Sequence, residues 1–192
     1  MKNIFQLFVL VSIFSLVACK ASKNAVTTDS AVKEMERPTD APGVISFEAA
    51  NERYSANGKF NKWNFTRVNM DGNDITTLDA ELNIDLTSIW EKSDKLTEHL
   101  KAWDYFDVEK FQNATVKIKN VRKKGAGYEA DMELAMRDEF QRIESTFEVL
   151  EKKPLRVRGS AFVDRSIFGI GVENTSVSNL IKVTYDTVIP TK

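Results

Sequence analysis

The chain of 192 residues holds 27 basic and 28 acidic side chains, one histidine and one cysteine, for a formal net charge of −1. Near-neutral charge without a basic stripe excludes the phosphate-neutralising surface on which nucleic-acid affinity depends. A lone cysteine excludes an internal disulfide, and with a single histidine it cannot assemble the three or four converging ligands of a zinc site.

Lys2 precedes an apolar run from Ile4 to Val17, which ends in Leu16-Val17-Ala18-Cys19. A basic start, an apolar core and a small residue before the cut describe a secretory signal peptide over residues 1–18. The run is shorter than the roughly 18–20 residues that cross a bilayer, which argues against an anchor helix. The same four residues match the bacterial lipobox, in which the thiol of Cys19 takes a diacylglyceryl group, the chain is cut before it, and the cysteine becomes the mature N-terminus. An ordinary signal peptide with a chance cysteine is the plainer alternative. The expectation is a lipid-anchored protein of the bacterial cell envelope. By resemblance to known sorting signals, Lys20 in place of aspartate favours the outer membrane, with the periplasmic or surface face left open. Residues 19–42 then form a lipidated N-terminus and tether, lacking aromatics and too polar to offset its ordering entropy. A coil of that length spans about 25 Å.

Residues 43–192 read as one domain. Leu78, Ala80, Leu82, Ile84 and Leu86 alternate with Asp79, Glu81, Asn83 and Asp85, the pattern of a strand with one dry face and one wet face. Ser93 or Asp94 can cap a short helix whose apolar face is Leu96, Leu100 and Trp103. Alternation resumes at Val116 to Ile118, then over Tyr128 to Met136, Ile143 to Val149, Leu155 to Val163 and Ile181 to Thr187. Turn signals at Asp71-Gly72-Asn73-Asp74, Lys124-Gly125-Ala126-Gly127 and Lys152-Lys153-Pro154 separate the runs. Long strands joined by tight turns favour an antiparallel up-and-down barrel, although periodicity alone leaves a β-sandwich open.

Three segments carry a family resemblance: Gly58-Lys59-Phe60; Leu86-Thr87-Ser88-Ile89 running into Leu100 to Phe111; and Ala161 to Gly171 with its Asp164-Arg165 pair. In order and spacing they are similar to the YceI-like proteins. That resemblance implies an all-β, eight-stranded, lipocalin-like barrel with a short helix between strands, holding a long polyisoprenoid. The chain departs from the family in a short first strand around Val44 to Asn57. It departs again at Leu134 to Phe140, where a turn carries no glycine. In such a barrel the inward-facing Leu82, Ile84, Leu86, Met132, Leu134, Met136 and Phe147, together with Phe162, are the candidate ligand contacts. Trp90, Leu100, Trp103 and Phe106 are candidates for its mouth or plug. Read from composition alone, the same residues more often interdigitate into a solid core, and the resemblance reverses that preference.

No phosphate loop, nucleophile elbow or catalytic dyad accompanies these segments. Asp104 and Asp107 read as helix-end and turn residues, His99 as a solvated helix residue, and Asp164-Arg165 as a paired charge that holds a turn. The expectation is a non-enzymatic, membrane-tethered lipoprotein. It would store or transport a long apolar lipid, a polyisoprenoid or an isoprenoid quinone, with no other cofactor and no nucleic-acid partner. The alternative is a filled-barrel envelope scaffold or stress-associated protein acting through surface protein contacts.

Overall fold

Successive side chains on a strand point to opposite faces, so the alternating runs of this chain separate an interior from water as soon as they pair. The structure, a computed structural model, describes residues 41–50, 55–172 and 176–191. The expected signal peptide and Cys19 lie outside the described residues. Strands β1 (Gly43–Ala50), β2 (Ser55–Phe60), β3 (Trp63–Asn69), β4 (Asp79–Asp85) and β5 (Ile89–Glu91) precede helix α1 (Asp94–Lys101). Strands β6 (Asn113–Lys124), β7 (Gly127–Met136), β8 (Glu139–Lys152), β9 (Leu155–Asp164) and β10 (Leu180–Ile189) follow it.

All ten strands belong to one sheet. Ten replaces the expected eight because two runs are bent. β2 and β3 are one stretch of chain broken at Asn61-Lys62, and β4 and β5 are another, broken by the 3-10 turn Leu86–Ser88. Each of the eight runs pairs antiparallel with the next, and β10 pairs with β1, so the sheet curls round and closes. At the bend, ladder bonds give way to specific substitutes. Asn61 N donates to Ser88 O at 3.2 Å, Lys62 N to Ser88 Oγ at 2.9 Å, and Asp85 N to Lys62 O at 3.0 Å. Backbone groups are thereby satisfied at the corner where the sheet changes direction.

The turn without glycine forms all the same. Arg137 and Asp138 make a two-residue hairpin loop between β7 and β8, both with positive φ, 52° and 64°. Such a loop matches the right-handed twist of the strands but disfavours large side chains, so Arg137 needs compensation from elsewhere. A bulge in β6 at Asn120-Val121 shifts the period, and Ile118 and Val121 both end up buried, at 8% and 5% exposure.

Helix α1 is capped by Ser93, whose Oγ accepts from Leu96 N at 3.3 Å. Its buried residues are Thr97 and Leu100. Thr97 Oγ1 ties the helix to β5, donating to Glu91 O at 3.0 Å and accepting from Glu91 N at 2.9 Å. Trp103 does not share this face as expected. The helix ends at Lys101, Ala102 is extended, and Trp103 stands 77% exposed.

The Gly58-Lys59-Phe60 segment has a packing reason. A Cβ on Gly58 would overlap the Phe47 ring, which lies across β2 from β1 and packs 5.7 Å from Phe60. Gly58→Ala is expected to lower stability by about 1–3 kcal/mol in urea unfolding. In a Phe47→Ala background, where the ring is gone, the same change is expected to cost clearly less.

Candidate functional site

The closed sheet surrounds a cavity of about 330 Å³. β4 contributes Leu82 and Ile84, and Leu86 follows at the bend. β7 contributes Met132, Leu134 and Met136, and β8 contributes Ile143 and Phe147. These are the inner positions that alternation marks, and all seven of those proposed from β4 to β8 line the cavity. β1, β9 and β10 supply a further wall through Ile45, Phe47, Val157, Ala161, Val183 and Tyr185, among others. Phe162 is a correction. Its neighbours Ala161 and Val163 take the inner positions of β9, so Phe162 points outward and is 57% exposed.

One end of the barrel is covered by α1, the loop that follows it and the loop after β9. Leu96, Leu100, Tyr105, Phe106 and Ile170 close the cavity there. Phe106 packs edge-on to Phe60 at 5.8 Å and lies 6.3 Å from Phe47, giving three rings under the cap. Leu100 and Phe106 thus sit where a mouth or plug was expected. Trp90 and Trp103 do not. Trp90 follows the inward Ile89, turns to the outside of β5 and lies under Lys59 Nζ at 4.8 Å, while Trp103 projects into solvent.

Two arginines fasten the cap. Arg137 donates to Tyr105 O at 2.6 Å, Gly169 O at 3.0 Å and Trp103 O at 3.3 Å, which gives its left-handed backbone a counterpart. Arg165, 6% exposed, donates to the carbonyls of Ile170, Gly171, Val177 and Ser178. Asp164 instead accepts from Ser166 N at 3.0 Å and Ser166 Oγ at 2.6 Å. The two neighbours expected to hold the turn as a charge pair therefore do separate work. Gly171 N donates to Asp104 O at 2.7 Å and links the two cap loops directly.

Tyr185 lines the cavity and hydrogen-bonds to Ser145, which is fully buried behind it. Ser145 Oγ donates to Ser160 O at 3.0 Å, so the 2.7 Å contact with Tyr185 is donated by the phenol. Gly159 makes this possible, because a Cβ there would collide with Tyr185 Oη. Burial pushes the Tyr185 hydroxyl up to about 12, with the Ser145 hydrogen bond pulling the other way. A lone serine in an otherwise apolar row, beside a strand with a mid-row glycine, was the sequence signal for this pair. Arg137, inside an atypical turn, had none. Among the described residues there is no group of three His, Cys, Asp or Glu placed to hold a metal ion.

A closed antiparallel barrel with a capped apolar interior and the three marked segments decides the family. The YceI-like domain profile matches residues 29–189. The chain belongs to the YceI-like domain family. Solved structures share this fold. BcnA of Burkholderia cenocepacia is 17% identical with a TM-score of 0.69, over 77% of this chain and 96% of that one. A polyisoprenoid binding domain from Saccharophagus degradans, implicated in plant cell wall breakdown, is 14% identical with a TM-score of 0.56, over 78% and 97%. The YCEI protein of Campylobacter jejuni is 14% identical with a TM-score of 0.55, over 70% and 85%. No curated protein sequence matches.

The phenol generates a pH test. A folded value near 12 above an ordinary 10 means that the neutral form is favoured by folding. That stabilisation is complete below pH 10 and is lost as pH rises toward 12. Urea midpoints are expected to fall more steeply over this window in the wild type than in Tyr185→Phe. At neutral pH the variant is expected to be less stable by about 1 kcal/mol.

Proposed function

We propose that this YceI-like protein is a non-enzymatic binding protein that carries one long, uncharged apolar lipid, a polyisoprenoid or isoprenoid quinone, inside its barrel. The observation that carries the reading is the cavity of about 330 Å³ lined by aliphatic, thioether and aromatic side chains. Burial of each methylene contributes roughly 0.8 kcal/mol, so a hydrocarbon chain binds such a wall without polar recognition. Met132 and Met136 add adaptable thioethers. The Saccharophagus neighbour's description as a polyisoprenoid binding domain supports the same ligand class.

The lipid chemistry extends to a membrane-tethered role. Cys19 in its lipobox register is the anchoring residue in this reading, and the envelope, at the outer membrane, is the location. The cap end supports exchange with a lipid surface. Trp103, Phe140, Phe162, Ile167, Val172 and Leu180 are all exposed there, on the cap loops and the adjoining ends of β8, β9 and β10. Aromatic and aliphatic side chains of this kind settle at membrane interfaces. The chain enters the barrel at the opposite end, where Gly43 pairs with Thr187. A stretch of about 20 residues reaches up to roughly 70 Å, enough for the cap to turn toward an anchoring membrane.

The test is organic extraction and mass spectrometry of protein purified from a bacterium without detergent. A stoichiometric isoprenoid lipid is expected, and Ala161→Leu, which adds bulk to the cavity wall, is expected to reduce its amount several-fold while the fold is kept. An empty extract that stays empty after isoprenoids are offered would overturn the reading and direct attention to surface protein contacts.

A further inference from the structure

The two cap loops meet along a seam that is apolar inside and out. Tyr105 and Phe106 of the loop after α1, with Ile170 and Val177 of the segment after β9, line the cavity from within. Trp103 of the first loop and Ile167 and Val172 of the second are exposed outside, at 77%, 43% and 49%. Gly171 lies so close to the Tyr105 ring that a Cβ there would overlap it. The seam is bridged by Gly171 N, which donates to Asp104 O at 2.7 Å, and by the Arg137 guanidinium. Arg137 donates to Trp103 O and Tyr105 O of one loop and to Gly169 O of the other. It is only half-buried, so water replaces each carbonyl it releases and little is lost per bond. Arg165 is different. It is 6% exposed and ties the second segment within itself through Ile170, Gly171, Val177 and Ser178, and groups freed from it would stay dry. The opposite end is built on sheet pairing. Ile189 is held there in the β9–β10 ladder opposite Leu155, and Leu78 follows a turn in which Asp74 Oδ1 accepts from Thr76 N at 3.0 Å and Thr77 Oγ1 accepts from Asp71 N at 2.8 Å.

We infer that the seam between the two cap loops is the route by which the lipid enters and leaves the barrel, and that Arg137 is the latch that sets its rate. The inference rests on the lipid-binding reading above and adds to it a path and a gating residue. A chain taking this route passes from Trp103, Ile167 and Val172 outside to Tyr105, Phe106 and Ile170 inside, in apolar company throughout. What must yield is the Gly171–Asp104 bond and the grip of Arg137. Arg137 is outside the cavity lining, so it acts on the passage and not on the bound lipid. A loop latch of that kind scales loading and release together and leaves affinity in place. It also gives the glycine-free turn a use, since the positive φ of Arg137 aims its guanidinium at both loops.

The experiment uses the full chain, freed of lipid, and farnesene, a linear isoprenoid hydrocarbon delivered as its cyclodextrin complex so that no membrane contact is involved. Loading and release are followed through the methyl signals of Met132 and Met136, which line the cavity. Arg137→Met is expected to speed both about tenfold while equilibrium affinity changes by less than about threefold. Arg137→Lys is expected to fall between, because a point charge does not hold several carbonyls as a planar fork does. Arg156→Met removes a guanidinium bound to Asp186 and Glu151 at the opposite end, and is expected to leave both rates within about twofold. Trp103→Glu combined with Val172→Glu puts charge at the outer mouth and is expected to slow both rates about tenfold, whereas Val44→Glu, exposed at the opposite end, is not. Unchanged rates in Arg137→Met or in the glutamate pair would overturn the route, as would an equal effect from Arg156→Met or Val44→Glu. A loss of affinity as large as the gain in release rate would make Arg137 a structural residue and no latch. Failure of the wild type to bind farnesene would overturn the lipid-binding reading together with the route. The glutamate pair sits at exposed positions, so the test stands even where Arg137→Met folds poorly.

Discussion

Closure of the sheet is the constraint from which the rest follows. With eight runs paired in sequence and the last returned to the first, every inner side chain faces a common axis. An eight-run barrel is just wide enough to be filled by side chains or to hold one small ligand. Which outcome prevails depends on side-chain size at the inner positions. Ala49, Ala114 and Ala161 share the wall with Leu82, Met132 and Phe147, and Gly159 lets Tyr185 lie across β9. Space is left along the axis as a result, and the bent β2–β3 and β4–β5 runs carry the wall continuously past the corner.

Polar bonds as well as apolar contacts hold the cap. Arg137 and Arg165 between them bind seven carbonyl oxygens drawn from the loop after α1 and the segment after β9. Carbonyls that loops would otherwise turn to water are satisfied by planar, always-charged donors. Loops are ordinarily the mobile parts of a barrel. Here they are anchored around an apolar floor of Leu100, Phe106 and Ile170, so the cavity is defined at that end without a bulky plug. The side chains left outside, Trp103, Ile167 and Val172, give the same end an apolar exterior.

Much of this was legible in the sequence because alternation has a period of two and survives without tertiary information. Leu82, Ile84, Leu86, Met132, Leu134, Met136 and Phe147 were placed on inner faces by that rule, and all of them line the cavity. Where the rule was set aside it would have been right: Phe162 lies between two inward residues and faces out. Trp103 failed for a different reason. Helical spacing is informative only while the helix lasts, and α1 stops at Lys101. The bends at Asn61-Lys62 and Leu86–Ser88, and the bulge in β6, are set by cross-strand bonds that no local pattern announces. Arg137 was hidden because its partners at Trp103, Tyr105 and Gly169 are more than thirty residues away in sequence.

The most direct test of an axial cavity that admits a lipid chain is methyl NMR of the protein labelled with 13C at its five methionines. Met132 and Met136 line the cavity, and both methyl resonances are expected to shift saturably when a linear isoprenoid hydrocarbon is titrated. Met70, outside the lining, is expected to stay in place. Unmoved Met132 and Met136 signals, with no change in urea midpoint at saturating hydrocarbon, would contradict the account and make the barrel a filled one.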